Sequence, residues 1–350
     1  MRRWAFTGIV ALAALVIAGC GPEPNNSAST GQTPRPRKAA APPGANVPAM
    51  PEVTQAELDR VYKSPKPYRL ALIVKTRNNP FFDPMIQAAE AEAAQAKVGL
   101  EVQAPQQETD KERQFALVQD VTARKVDAIL IAPADSKGIV PALKQAQDRG
   151  TMVINLDNRV DPATAATAGL QLGGYVGADN EQGGKLAGEA MATHLHDHGK
   201  VAILEGIRGA DNAEARKRGF TGAVKNRLEI VASDTAEWDT QKAYAKFQAM
   251  LAAHPDLDGV FCANDKMALG AIKAIQEAGK KGRITVVGYD NIPDVRPYLK
   301  GGELYATIEQ HPDLMGKYGV LMMIAVTTGL VPKGRQFLVP LEVIKAAGTP

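Results

Sequence analysis

The run Arg69-Leu70-Ala71-Leu72-Ile73-Val74-Lys75, followed after two residues by Asn78-Asn79-Pro80-Phe81-Phe82, decides how this chain is read. An unbroken apolar run with no polar alternation describes a strand covered on both faces, as in a parallel sheet. A polar and aromatic cluster stands straight after its carboxyl end. Pro80 biases Asn79 towards extended backbone and holds the two phenylalanines at the lip of the sheet. The arrangement recurs: the apolar runs 152–154, 260–263 and 284–287 precede Asp157-Asn158-Arg159, Asn264-Asp265 and Asp290-Asn291. Open α/β sheets bind ligands outside the carboxyl ends of their strands, so the four clusters are expected to line one pocket.

Working outward, strand and helix patterns alternate from Tyr68. Strands are expected at 69–75, 100–104, 128–132 and 152–155, with helices at 85–97, 110–123 and 137–149 between them. After Gly173-Gly174 the alternation restarts, with strands at 175–177, 201–205, 230–232, 259–262 and 285–288. This spacing predicts two doubly wound, parallel-sheet α/β lobes. The last elements, a strand at 306–308, a helix at 314–328 and strands near 337–344, are too few for a third domain and are expected to return to the two lobes, leaving a cleft and a multi-segment hinge.

The amino terminus has its own organisation. Arg2 and Arg3 precede a short apolar stretch and then small residues, which reads as an export signal over 1–19. Its end, Val16-Ile17-Ala18-Gly19-Cys20, resembles the bacterial lipobox, making Cys20 the expected lipidation site. Residues 21–51 hold eight of the 23 prolines and no apolar period, so 20–67 is expected to be a tether. The formal net charge is +3, two units of which belong to Arg2 and Arg3, so no nucleic-acid partner is expected. The remaining cysteine, Cys262, sits in a strand pattern and reads as an inert buried thiol.

Chemically, the clusters suit a polyhydroxylated guest. Asp157, Asp290, Asn264 and Asp265 offer acceptors, Arg159 and Arg216 offer forked donors, and Phe81, Phe82 and Trp238 offer apolar walls. Competing chemistries fit poorly. His194, His196 and His198 crowd a helix end without a partner cluster, and Gly183-Gly184-Lys185 lacks the rest of a phosphate loop. No metal, cofactor or catalytic residue is expected. A hydrolase using Asp157 and Asp290 as acid and base would need only two carboxylates in a sugar cleft.

The motifs Asn78-Asn79-Pro80-Phe81-Phe82, Asn264-Asp265-Lys266-Met267-Ala268-Leu269-Gly270, Val286-Val287-Gly288-Tyr289-Asp290 and Ala306-Thr307-Ile308-Glu309-Gln310 resemble those of bacterial sugar-binding proteins of ABC importers, ribose-binding type. The resemblance spans about Tyr68 to Lys345. It implies the type I periplasmic binding protein fold, with one lobe from 68–176 plus 311–338 and the other from 177–310 plus 339–347. It implies ligand contacts from Asn79, Phe81, Phe82, Asp157, Asn158, Arg216, Trp238, Asn264, Asp290 and Gln310. A carbohydrate ligand, an ABC permease partner and a monomeric state follow from it, and with the lipobox at Cys20 a lipid-anchored place in the cell envelope is expected. A sugar-sensing protein for a membrane receptor shares every one of these features. Three positions depart from the ribose pattern: Ala132 stands where Asn is expected, Asn158 where Arg is expected, and Lys75 is an unusual charge at a strand end.

Overall fold

The computed structural model describes residues 50–61 and 64–345. The expected export signal, Cys20, the tether up to residue 49 and the end of the second lobe at 346–347 lie outside the described residues. In chain order the elements are α1 (Gln55–Leu58), β1 (Arg69–Ile73), α2 (Phe82–Ala96), β2 (Gly99–Gln103), α3 (Lys111–Ala123), β3 (Ala128–Ile131), α4 (Val140–Asp148), β4 (Met152–Leu156), α5 (Pro162–Ala168), β5 (Gly174–Gly177), α6 (Asn180–His194) and β6 (Lys200–Glu205). They continue with α7 (Asp211–Val224), β7 (Glu229–Thr235), α8 (Thr240–Ala253), β8 (Gly259–Cys262), α9 (Asp265–Glu277), β9 (Thr285–Val287), α10 (Arg296–Gly301), β10 (Ala306–Glu309), α11 (Pro312–Thr327), β11 (Arg335–Leu338) and β12 (Glu342–Lys345).

These strands form two six-stranded sheets, ordered β11-β5-β4-β3-β1-β2 and β12-β10-β9-β8-β6-β7. The central strands are buried throughout, as in β3 and β8, whereas the edge strands β2 and β7 are half-exposed. That difference is why the central strands read as continuous apolar runs. In both sheets the order reverses beside the first strand of the lobe, β1 or β6, so both switch points open at the carboxyl ends. One strand breaks the parallel rule: β12 pairs antiparallel with β10. The chain enters the second sheet from the cleft side after β11, so β12 runs away from the cleft while its neighbours run towards it.

The chain passes between the sheets three times, around residues 178–179, 310–311 and 339–341. The folded body begins earlier than the sequence suggests. Thr54 and Glu57 form a reciprocal capping box on α1, and Leu58 is fully buried. Val53 donates to the Gln336 carbonyl (2.8 Å), Gln336 donates back to the Pro51 carbonyl (2.9 Å), and the Tyr318 hydroxyl donates to Asp59 (3.0 Å). Residues 50–61, expected in the tether, thus dock on the first lobe beside β11. A short helix within 52–63 is legible in sequence, but with prolines before it and Leu58 its chief buried anchor, the segment carries too little apolar period to show that it docks.

Candidate functional site

The first-lobe wall is built from the ends of β1 and β4. Pro80 and Phe81 lead into α2, and the Phe81 amide donates to the Asn79 side-chain oxygen (3.1 Å), fixing the turn. The two phenylalanine rings meet edge to face at 5.0 Å between centroids. Asn79 Nδ2 donates to the half-buried Glu108 (2.8 Å), whose carboxyl is raised above the usual range by burial. Asp157 follows β4 in left-handed backbone (φ 56°), a conformation that L side chains seldom adopt. The Tyr175 hydroxyl holds it there by donating to its carbonyl (2.8 Å). At its tip Asp157 faces the Lys75 ammonium at 2.8 Å, and both side chains are at most 4% exposed.

The second-lobe wall centres on Arg216 of α7. Its Nε donates to Asn180 and one Nη donates to the Ala263 carbonyl, each at 2.8 Å, while the guanidinium lies 3.7 Å over the Tyr289 ring. The same Nη is 3.5 Å from Asp290. Asp290 also accepts from Gln310 (2.6 Å), and burial pushes its carboxyl well above the usual range against the pull of Arg216. Asn264 caps α9 by accepting from the Met267 amide (2.9 Å), which leaves its amide nitrogen to donate. Trp238 is buried, in left-handed backbone (φ 65°), with its indole laid over Gly206 so closely that a methyl there would collide with the ring.

Trp238→Ala is expected to weaken ligand binding by roughly 1–3 kcal/mol through lost apolar contact. Calorimetric titration checks this; unchanged affinity would show that the indole serves only its own lobe.

These walls enclose one cavity, lined by Lys75, Asn79, Phe81, Phe82, Glu108, Asp157, Asn212, Arg216, Trp238, Asn264, Asp290 and Gln310. About 230 Å³ of space, open solvent included, lies between these residues. Three buried oxygens in the wall lack a hydrogen-bond donor: Asn212 Oδ1, Gln310 Oε1 and Asp157 Oδ2, the last facing Lys75 as an ion pair without an aligned hydrogen bond. Buried acceptors of this kind require donors. Both cations of the wall already have a carboxylate within 3.5 Å, so neither is spare for a phosphate or carboxylate group.

Below the wall, Glu205 binds β6 to its neighbours by accepting from Lys217 (2.8 Å), Ser233 (2.6 Å) and Arg208 (3.0 Å). These bonds outweigh its burial and hold its carboxyl down at about 2. The folded pKa is below the unfolded one, so the stability it contributes is present above about pH 4.5 and is lost as pH falls through about 2. Glu205→Gln is expected to cost about 1–3 kcal/mol at neutral pH and nothing near pH 2, read from urea unfolding across pH.

Of the residues expected to touch a ligand, nine line the cavity and Asn158 does not. Asn158 turns into the protein, donating to the Pro133 carbonyl (2.8 Å) and to Ser136 Oγ (3.2 Å). Arg159 likewise points away, donating to Gln336 (2.8 Å) and covering the Tyr175 ring at 3.7 Å. Asp265 is a staple instead of a contact: it accepts from the Tyr289 and Ile292 amides and the Thr307 hydroxyl, with burial raising its carboxyl to about 7. Gly183 and Gly184 lie inside α6, where Gly184 lets the backbone of Arg216 pack against it. Cys262 is wholly buried in β8. Sequence reasoning leaves open whether Lys75 faces the ligand, its charge at a strand end being the visible signal, and misses Glu108 and Asn212 as lining residues.

Two α/β lobes whose strand ends converge on a small polar cavity define a bilobal solute-binding protein. Residues 70–330 match the model of the periplasmic binding protein domain, and the chain belongs to that family. It is 36% identical over 290 residues to the D-ribose/D-allose-binding protein of Pseudomonas aeruginosa, covering 81% of this chain and 91% of that one. It is 38% identical over 252 residues to the ribose import binding protein RbsB of Escherichia coli, covering 72% and 82%. A periplasmic solute-binding protein of an ABC transporter from Actinobacillus succinogenes, solved with bound D-allose, superposes with a TM-score of 0.74 at 38% identity, covering 80% of this chain and 98% of that one. Its family makes the chain a binding protein, not an enzyme, which sets aside the Asp157–Asp290 hydrolase.

Proposed function

We propose that this chain captures a neutral monosaccharide, D-allose or D-ribose, by closure of its two lobes and delivers it to the permease of an ABC importer. The observation that carries the reading is the pair of donorless buried oxygens, Asn212 Oδ1 and Gln310 Oε1, beside cations already paired: hydroxyl groups supply donors without adding charge. Lys75, Arg216 and Asn264 then donate to the sugar oxygens, while Phe81, Phe82 and Trp238 cover its apolar faces. Lys75 and Glu108 add two charged groups to the polar wall of the first lobe beyond the expected contacts. The relatives' names and the D-allose-bound neighbour support the same class. In this reading the protein works as a monomer in the cell envelope, exported by its first 19 residues and anchored through lipid on Cys20.

Titrating the purified protein with D-allose and D-ribose in a calorimeter tests the proposal. A saturable heat with at least one is expected. No response to either, or to a broader panel of neutral monosaccharides, would overturn it.

A further inference from the structure

Helix α7 carries two cavity residues, Asn212 and Arg216, yet its own sequence provides no cap. The N-cap position is Ala210, without a side-chain hydrogen bond to the first turn. A helix start leaves its first N–H groups without intrahelical partners. Here they are met from the other lobe: Asp211 N–H donates to Ser136 Oγ and Asn212 N–H donates to Asn158 Oδ1, each at 3.0 Å. Ser136 lies after β3 and Asn158 after β4, so both acceptors belong to the first lobe and both donors to the second. Asn158 Nδ2 is spent on the Pro133 carbonyl and Ser136 Oγ, which locks both acceptor groups in place before the lobes meet. At another part of the lobe contact, Lys266 Nζ donates to the Asn78 carbonyl at 3.2 Å.

We infer that Ser136 and Asn158 form a closing latch: they cap the amino terminus of α7 only when the lobes are together, and so act as positioning residues for Asn212 and Arg216. A ligand shifts a two-state equilibrium only through contacts that differ between the states. The latch adds such a difference without touching the sugar, and it gives Asn158 a role that its side chain cannot play inside the cavity. Opening the lobes returns the two N–H groups to water. Closing them on a damaged latch buries them unpaired.

The inference rests on the solute-binding reading but not on the identity of the sugar. Its test compares wild type, Ser136→Ala, Ser136→Thr and Ala210→Ser, titrated with whichever of D-allose and D-ribose the wild type binds. Ser136→Ala is expected to weaken binding roughly 5- to 50-fold, chiefly through faster dissociation, because one buried donor loses its partner on closing. The melting temperature of its sugar-free form should stay near that of wild type. Ser136→Thr restores the hydroxyl and should recover most of the affinity. Ala210→Ser supplies a cap in both states, so it should raise sugar-free stability while weakening binding a few-fold. Unchanged affinity in Ser136→Ala would overturn the latch, as would a loss of sugar-free stability as large as the loss in the sugar-bound form. Should neither sugar bind wild type, the carbohydrate reading fails by itself, and the same four proteins are titrated with the small molecule that copurifies with wild type, the supporting and overturning results being unchanged.

Discussion

Asp157→Ala is expected to abolish sugar binding, raising Kd by more than about a hundredfold, and Lys75→Met is expected to do nearly as much from the other side of the same pair. The two groups meet at 2.8 Å with both side chains almost fully buried in the closed protein. Removing one partner of a buried pair typically costs 3–5 kcal/mol, because the other charge is left without compensation. By the affinity scale that is roughly 10²- to 10³-fold or more. The cost falls on closure. Both residues stand at strand ends of the first lobe, at the cavity, so separating the lobes returns a lone ammonium or carboxylate to water. The sugar-free melting of either variant should therefore stay within about 1–2 kcal/mol of wild type. Calorimetry with D-allose and sugar-free urea unfolding together check the claim. Equal affinity in Asp157→Ala and wild type would remove the carboxylate from the site, and a large sugar-free loss would show that the pair holds the lobe itself. The double variant Lys75→Met/Asp157→Leu should not bind either, yet it should cost the closed protein less than the sum of its parts.

How much of this was legible in sequence follows from what kind of information each feature carries. Strand runs such as 70–74 are apolar because both faces of the sheet are covered, so β1, β3 and β8 announced themselves. Polar residues straight after those runs had to lie at the carboxyl ends, and Asn79, Asp157, Asn264 and Asp290 were found that way. Side-chain direction was not legible. Asn158 and Arg159 neighbour Asp157, but Asp157 sits in left-handed backbone, and the residues after it turn away from the cavity. Glu108 and Asn212 reach the wall from a loop and from a helix start, where no periodicity marks the inward side. Helix α5 was missed because it is short and opens with proline in its first turn, a position that reads as a break. The antiparallel β12 depends on the side from which the chain enters the second lobe, a fact of topology and not of composition.

Arg216→Lys is expected to cost both binding and the fold, in contrast to the Asp157 variant. The guanidinium ties three parts of the second lobe together: Asn180 at the start of α6, the Ala263 carbonyl after β8, and Asp290 after β9, while its flat face lies on Tyr289. A lysine ammonium is a point charge without a planar fork and cannot reproduce the two bonds and the stacking at once. These contacts lie within a single lobe, so they persist whether the lobes are together or apart. A loss of about 2–4 kcal/mol is therefore expected in the sugar-free protein, with one or two buried acceptors abandoned. Asp290, already raised by burial, exchanges a guanidinium held beside it by two further bonds for an ammonium on a shorter stem, so its carboxyl is expected to move higher still and whatever sugar affinity survives to recover as pH rises. Urea unfolding without sugar and titration with D-allose from pH 5 to 9 separate the two effects. A variant that unfolds like wild type would mean that Tyr289 and Asn180 hold the lobe without the fork, and that Arg216 serves the guest alone.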